Sequence, residues 1–401
     1  MTNDKPLEHY LRPDEWLEDP EPGDAELEAA DAEQGAIEPL EPASRRPRTP
    51  VQRRVYSTGN EDLDRLIQEI ILSLSSGAGL EGPVPSADLE LTREMLTSSV
   101  RLILRKATRA ELKLVNTTLK EFAYSFRVFA PYRGQRKVSI FGSARVEPGD
   151  PNYMTARNFA TEIARRGWMV ITGAGPGIMA AGHQGAGAKQ SFGANIRLPT
   201  LNPANIYIAK DGKLINFKYF FTRKVTFMKE SSAFVLLPGG WGTLDEAFEL
   251  LTLTQTGKSD LHPIVLLEPP GSTYWRSWVE FIRDEVLAHH YLLESDMALL
   301  RIATTPLEAV EEIERFYHNY RSARFVGDRL VLRLQRAPDD AALQRLNHDF
   351  ADLLEQGSID VIEPLPVEVR DNDEVDAARI ALYPQHRYGR VRQLIDALNA
   401  L

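Results

Sequence analysis

The chain has 401 residues, a formal net charge of −10 and 43% hydrophobic residues. This length predicts two to three units with a sizeable core. The acidic balance disfavours nucleic acid and anionic membranes as partners, since both attract basic surfaces. Because the chain has no cysteine, disulfides, thiolate metal sites and cysteine nucleophiles are excluded. The N-terminus has no apolar signal core and no apolar run is long enough to span a bilayer, so a cytoplasmic location is expected.

Residues 1–55 are predicted to form a disordered acidic tail and linker. The first thirty residues are rich in Asp, Glu and Pro and poor in apolar side chains, a composition that cannot offset the entropy lost on ordering. Five arginines then reverse the charge, at positions 45, 46, 48, 53 and 54. We interpret them as part of a linker that can pair with the acidic tail; a nucleic-acid arm is the alternative.

Residues 56–130 are predicted to be helical. Apolar side chains recur every three to four residues from Leu63 to Leu74 and again over Leu89–Lys106. Thr108 and Glu111 form a Thr-x-x-Glu capping box, which predicts a third helix that continues through Phe129. The apolar stripes of these helices must pack against the following domain or another subunit.

Residues 131–320 alternate between strand and helix patterns. The predicted strands are Val138–Phe141, Trp168–Ile171, Ala194–Leu198, Ala233–Leu237 and Ile264–Leu267, and the main predicted helices are Tyr153–Arg166, Thr243–Gln255, Trp275–Ala288 and Leu307–Tyr317. Repeated βα units with apolar strands predict an α/β fold, a doubly wound parallel sheet with its ligand at the carboxyl ends of the strands.

Residues 321–401 are predicted to be a small C-terminal α+β unit. Leu330, Leu332 and Leu334 alternate as in a strand, and Asp339–Gln356 has helical spacing. Ile359–Ile362 is predicted as a further strand and Tyr388–Leu401 as a closing helix.

Glycine-bearing turns follow three predicted strands of the 131–320 domain. Glycine lets the backbone approach a ligand closely, and a turn that opens a helix attracts phosphate. The residues concerned are Gly142 and Ser143, then Gly173, Gly175 and Gly177, and then Gly239, Gly240, Gly242 and Thr243. The spacing is not Gly-x-Gly-x-x-Gly and none of the three turns ends in Gly-Lys-Ser/Thr, so NAD binding and a P-loop are disfavoured.

The turn at Pro238–Glu246 combines glycines with a hydroxyl and two acids. Asp245 and Glu246 are about 100° apart on a helix, so only one is expected to face the ligand; Asp245 is interpreted as a partner of the helix dipole. A carboxylate beside a phosphate is repelled, and cleavage of an N-glycosidic bond gives it a purpose, because it can stabilise a ribosyl cation. Upstream, Arg223 and Lys224 can meet phosphate or base, or form a solvated helix end.

The string Pro238-Gly-Gly-Trp-Gly-Thr-Leu-Asp-Glu246, with Arg223-Lys224 upstream, resembles the LOG ("lonely guy") family of nucleoside 5′-monophosphate phosphoribohydrolases, in a longer subtype. The similarity extends to Gly142–Arg145, Gly175–Met179, Asn195–Pro199 and Leu253–Lys258. It departs at Ala180, where long members often carry Glu, and at Thr200-Leu201-Asn202, where they often carry Phe-Glu-Gln. Both departures are expected near the base or ribose.

The resemblance implies a Rossmann-like fold and hydrolysis of AMP, or N6-modified AMP of the cytokinin type, to free base and ribose 5-phosphate. It implies that Arg223 and Glu246 are the catalytic pair and that the Gly239–Thr243 loop holds the 5′-phosphate. Met179, Asn195 and Lys224 are the further implied substrate contacts. The resemblance implies no metal and no cofactor. It also implies that the protein is a homo-oligomer. The alternative is a nucleotide sensor or carrier without turnover.

Truncation before Val55 tests the predicted tail. Because its composition contributes little to a core, we expect the truncated chain to keep its melting temperature within about 2 °C, a shift that corresponds to well under 1 kcal/mol. Differential scanning fluorimetry measures this, and a fall of 10 °C or more would show that the tail belongs to the folded core.

Overall fold

The computed structural model describes residues 56–76, 84–198 and 203–401. The predicted tail at 1–55 and the departure at Thr200-Leu201-Asn202 lie outside these ranges. Contacts divide the chain into two compact units, Met1–Ile103 and Leu104–Leu401. Every helix in the described ranges is too short or too polar to cross a lipid bilayer.

The first unit contains helix α1 (Glu61–Ser75) and most of helix α2 (Ser86–Leu104). The side chain of Asn60 caps α1 by accepting hydrogen bonds from the Asp62 and Leu63 amides. Ile67 and Ile71 are the buried positions of α1, at the helical spacing the sequence predicted.

The second unit alternates strands and helices from residue 109 onward. Its elements are α3 (Arg109–Phe129), β1 (Lys137–Phe141), α4 (Pro151–Arg165), β2 (Met169–Thr172), α5 (Ile178–Ala186), β3 (Ser191–Ile196), β4 (Leu214–Phe217), α6 (Phe220–Glu230), β5 (Ala233–Leu236), α7 (Trp241–Gln255), β6 (Ile264–Leu267), α8 (Tyr274–Phe281), β7 (Leu300–Ala303), α9 (Pro306–Phe316), β8 (Tyr320–Val326), β9 (Arg329–Leu334), α10 (Asp340–Asp349), β10 (Leu354–Val361), α11 (Pro366–Asp371), β11 (Ala378–Pro384) and α12 (Tyr388–Asn399).

The first seven strands form one parallel sheet in the order β4-β3-β2-β1-β5-β6-β7. Strand β1 is paired with β2 on one side and with β5 on the other, so the strand order reverses between β1 and β5. Such a switch point opens a crevice at the carboxyl ends of the two strands. The predicted α/β doubly wound, Rossmann-like fold is confirmed.

Apolar strands explain why the sheet is covered on both faces. All five residues of β1 and all four of β5 are buried. One face packs against α4, α5 and α9, and the other against α3, α6, α7 and α8. The capping box at Thr108 and Glu111 is present, and α3 ends at the buried Phe129, whose ring stacks on Phe192 at 4.4 Å.

The last four strands form an antiparallel sheet in the order β10-β11-β9-β8. Its apolar face shares one buried cluster with residues of the parallel-sheet domain, among them Leu261, Leu299 and Phe316. Helix α12 contributes Leu394 and Ile395 to the same cluster.

The prediction of a helix over Asp339–Gln356 is wrong at its end. The helix stops at Asp349, a short 3₁₀ turn follows, and Leu354 already begins β10. Strand β10 lies at a sheet edge, and its residues Glu355–Ser358 are all exposed. A strand exposed on both faces lacks the alternating pattern that marks a half-buried strand, so the helical spacing appeared to continue.

Candidate functional site

A cleft of about 660 Å³ lies at the carboxyl ends of β1, β2 and β5. Its position is the switch point of the sheet, where α/β folds bind ligands. The cleft is lined by Phe141, Gly142, Ser143, Ala144, Arg145, Gly173, Met179, Arg223, Phe227, Gly240, Trp241, Gly242, Thr243, Leu244 and Glu246.

The loops after β1 and β5 interlock at the floor of this cleft. The Ser143 amide donates to the Pro238 carbonyl at 3.1 Å. A Cβ on Gly239 would lie 2.2 Å from Thr243 Oγ1 and 2.9 Å from the Ser143 amide nitrogen. Only glycine lets the two loops approach this closely.

A second close approach joins the loops after β1 and β2. Gly177 has a φ of +65°, and a Cβ there would lie 2.3 Å from the Ser143 carbonyl oxygen. That same oxygen accepts a hydrogen bond from the Ile178 amide at 3.0 Å, at the start of α5. Gly177 therefore acts on the site through backbone packing and does not line the cleft.

The start of α7 is suited to an anion. Gly240 is the N-cap, and no side chain caps the helix. The leading amides of an uncapped helix, together with its dipole, favour a phosphate group. Thr243 is only 5% exposed, and it lines the cleft from the first turn of the helix.

Arg223 and Glu246 face each other in the cleft. Arg223 Nη2 and Glu246 Oε1 are 3.4 Å apart, and the side chains are 13% and 4% exposed. The guanidinium also lies over the rings of Phe220 and Phe227, at 5.0 and 5.8 Å. Within the described ranges, Glu246 Oε2 and Arg223 Nε have no hydrogen-bond partner, so the pair keeps polar capacity for a ligand.

Burial controls the charge of this pair. Desolvation raises the pKa of Glu246 to about 7, while the neighbouring charge of Arg223 opposes the shift. Burial also lowers the pKa of Arg223, which remains protonated because a guanidinium does not lose its proton in proteins. A carboxyl group with a pKa near neutral can exchange a proton during a reaction at physiological pH.

The neighbouring acid Asp245 lies outside the cleft lining. It pairs with Lys224, whose Nζ is 2.9 Å from Asp245 Oδ2 and 2.6 Å from Glu249 Oε2. Lys224 therefore contacts two carboxylates and does not line the cleft. It still acts on the site electrostatically, because its charge lowers the pKa of Glu246.

The other predicted contacts divide into two groups. Gly142, Ser143, Gly173, Met179, Gly240, Gly242 and Thr243 line the cleft. Gly175, Asn195 and Gly239 do not. The Gly175 amide instead donates to Met179 Sδ at 3.4 Å, and Asn195 Nδ2 donates to Asn216 Oδ1 at 2.8 Å across β3 and β4.

The side chains that hold the glycine loops were not predicted from the sequence. Tyr274 Oη donates to the Gly239 carbonyl at 2.6 Å. Asn205 Nδ2 donates to the carbonyls of Ala174 and Gly175, both at 3.0 Å, and its amide also contacts His183 Nδ1. The fully buried His183 has its pKa lowered by desolvation. It therefore serves as a neutral hydrogen-bonding residue of the loop.

Six lining residues were also not predicted: Phe141, Ala144, Arg145, Phe227, Trp241 and Leu244. Arg145, Trp241 and Phe227 contribute a cation, an exposed indole and a buried ring. Trp241 is 89% exposed although it lies inside the glycine motif. Trp241 occupies the variable position x of the Pro-Gly-Gly-x-Gly-Thr string. That position was the only feature of the sequence that could have indicated a lining residue here. No group of three or more His, Asp or Glu that could hold a metal occurs in the described ranges.

Comparisons with known proteins agree with the motif. Residues 177–313 match the family model described as "Possible lysine decarboxylase". A probable cytokinin riboside 5′-monophosphate phosphoribohydrolase, LOGL6 of Oryza sativa subsp. japonica, is 35% identical over 94 residues, which cover 23% of this chain and 36% of that protein. Cytokinin riboside 5′-monophosphate phosphoribohydrolase LOG3 of Arabidopsis thaliana is also 35% identical over 94 residues, 23% of this chain and 42% of that protein.

The resemblance to the LOG family is confirmed. The chain spans less than half the length of these LOG relatives. Among solved structures, the molybdenum cofactor binding protein of Rippkaea orientalis is 22% identical and covers 45% of this chain and 96% of its own, with a TM-score of 0.32.

Proposed function

We propose that the chain is a nucleoside 5′-monophosphate phosphoribohydrolase, which hydrolyses the N-glycosidic bond to release free base and ribose 5-phosphate. The substrate is AMP or an N6-modified AMP of the cytokinin type. The uncapped start of α7 with Thr243 holds the 5′-phosphate, and Arg223 and Glu246 act on the ribose and the breaking bond.

The chemistry follows from the charges in the cleft. As the bond between C1′ and the base nitrogen breaks, the electron pair leaves with the base and positive charge develops on the ribose. The Glu246 carboxylate stabilises that charge. A water oxygen then bonds to C1′, Glu246 accepts the proton that this water loses, and the base nitrogen gains a proton from solvent. One water is consumed for each base released.

The observation that carries the proposal is the buried carboxylate beside an anion-binding helix start. Glu246 is buried with one carboxylate oxygen unpartnered, and this burial opposes its ionisation and raises its pKa. A bound phosphate would repel the ionised carboxylate as well. A protein that only carried nucleotides would bind them more tightly without this group. A reaction that builds positive charge on the ribose gives the carboxylate a role.

The words "lysine decarboxylase" in the family description name a different chemistry. A pyridoxal phosphate enzyme needs a lysine to hold the cofactor as a Schiff base. Of the described residues, those that line the cleft include no lysine, and Lys224 is engaged by two carboxylates. The residues present do not fit that cofactor.

A panel of nucleoside monophosphates tests the function directly. Each nucleotide is incubated with the protein, and free base and ribose 5-phosphate are separated by chromatography. We expect equimolar products from AMP or its N6-modified forms, and no base from the matching nucleosides, which lack the phosphate. Tight nucleotide binding without base release from any member would support the carrier alternative instead.

Glu246→Gln separates chemistry from binding. The variant keeps the shape of the side chain and loses the charge that faces the ribosyl cation, so we expect kcat to fall by about 10²–10³. Nucleotide affinity, measured by calorimetry, should hold or improve because repulsion between carboxylate and phosphate is removed. Asp245→Asn is the matched control and should stay near wild type. An inactive Asp245→Asn variant, or a Glu246→Gln variant with normal turnover, would reverse the assigned roles.

The pH dependence of kcat/KM tests the ionisation of Glu246. Because the carboxylate is the active form and its pKa is raised to about 7, kcat/KM should rise with pH through about 7. The substrate phosphate has a pKa near 6, so its ionisation would give a rise in kcat/KM at a lower pH than that of Glu246. Lys224→Met distinguishes the two, because loss of that cation should move the Glu246 limb to higher pH. A limb near 6 that does not move in Lys224→Met would assign it to the phosphate.

We also propose that the protein is a homo-oligomer. Several large apolar side chains near the cleft are about half exposed or more, including Phe220, Phe221, Trp241 and Phe248, and such groups favour burial against another subunit. Multi-angle light scattering at micromolar concentration should give at least twice the chain mass of 45.1 kDa. A monomer would refute this proposal.

A further inference from the structure

Helix α6 carries Arg223 in its first turn and has no cap of its own. The N-cap residue Tyr219 makes no side-chain hydrogen bond to the helix. The first amides of a helix lack intrahelical partners, and an uncapped first turn frays easily. The Arg223 amide reaches the Tyr219 carbonyl only at 3.4 Å, which is a long hydrogen bond.

A carboxylate from another helix holds the start of α6 through two hydrogen bonds. Glu121 lies on α3, and its Oε1 accepts from the Lys218 amide at 2.6 Å. Its Oε2 accepts from the hydroxyl of Thr222 at 2.5 Å. Thr222 is fully buried and precedes Arg223 directly. Negative charge at this end of α6 also complements the helix dipole.

Helix α3 also contacts α6 near the end of α6. Lys229, in the last turn of α6, lies over the ring of Phe126 at 4.9 Å. Phe129 then anchors α3 in the core by stacking on Phe192. Glu121 is therefore presented by a helix fixed to the body of the domain. Helix α3 lies entirely outside residues 177–313, the stretch that matches the family model.

We infer that Glu121 is a positioning residue for Arg223: it anchors the first turn of α6 and so fixes the guanidinium opposite Glu246. The inference rests on the proposed function for the role of Arg223. Besides the rings of Phe220 and Phe227, which lie on α6 itself, the guanidinium has one long polar contact, to Glu246 at 3.4 Å, and its Nε has no partner among the described residues. Its position therefore depends on the helix that carries it. A displacement of about 1 Å in a catalytic group can lower the rate by about 10²-fold.

Glu121→Ala tests the anchor by hydrogen exchange, which needs no substrate. Peptides that cover residues 218–226 should exchange about fivefold to tenfold faster, as expected when the start of a helix loses two hydrogen bonds that hold it. Peptides from α7 should be unchanged. Glu111→Ala is the matched control, because Glu111 is an acid of the same helix whose carboxylate caps α3 itself at Thr108. It should leave residues 218–226 at the wild-type rate.

Base release from AMP tests the consequence for Arg223. We expect Glu121→Ala to lower kcat by about tenfold with KM within twofold, and Glu111→Ala to leave both unchanged. In an Arg223→Ala background, Glu121→Ala should have no further effect on kcat, because the two residues act through one group. If Glu121→Ala does not fold, Thr222→Val removes the hydroxyl that contacts both Glu121 and the Tyr219 carbonyl, and it should shift exchange and kcat in the same direction by about threefold.

Three results would overturn the inference: unchanged exchange at 218–226, faster exchange with normal kcat, or a kcat effect that multiplies with that of Arg223→Ala. Failure of the proposed function has a different signature. A wild-type protein that releases no base from any nucleotide refutes the reaction, and the exchange experiment then decides by itself whether Glu121 anchors α6.

Discussion

The site depends on the burial of one ion pair, Arg223 with Glu246. Taking a carboxylate out of water is costly unless it is fully paired. Here the pairing is a single contact of 3.4 Å, with one carboxylate oxygen left without a partner in the described ranges. The pKa of about 7 is the direct result. A group in this state is unfavourable for stability, and at active sites such groups are the ones that perform proton transfer or stabilise charge.

The fold brings the two residues together through the strand order. Glu246 lies in the second turn of α7, after β5, and Arg223 lies in the first turn of α6, before β5. Both helices therefore meet at the switch point between β1 and β5. Close backbone contact at Gly239 and Gly177 draws the three loops together, so the uncapped start of α7 and the ion pair share one cleft.

The sequence predicted the parts of this site that local patterns encode. Glycines at strand ends, Thr243 and the acid at Glu246 are close in sequence, and apolar strands gave the fold class. Edge strands were harder to predict from the sequence. Strand β4 has mixed burial and β10 is largely exposed, so neither has a clear hydrophobic pattern. The Lys224 pairs were not predicted either, because Asp245 and Glu249 lie on a different helix from Lys224.

Contacts between distant segments were beyond any local pattern. Glu121 is 101 residues from Thr222, Tyr274 is 35 residues from Gly239, and Asn205 is about 30 residues from the loop it holds. Nothing in the spacing of such residues marks them, because their partners are chosen by the packing of whole elements. The residues proposed for catalysis were thus easier to predict than the residues proposed to position them.

The pKa of Glu246, measured in the folded protein, tests the central claim most directly. The side-chain carboxyl carbons of glutamate are labelled with ¹³C and titrated by NMR, and Glu246→Gln assigns the signal by its disappearance. The account predicts one glutamate that titrates at about 7, far above the ordinary value near 4.3. A Glu246 signal that titrates between 4 and 5 would contradict it, because the carboxylate would then be solvated and Arg223 and Glu246 would not form a buried ion pair in the cleft.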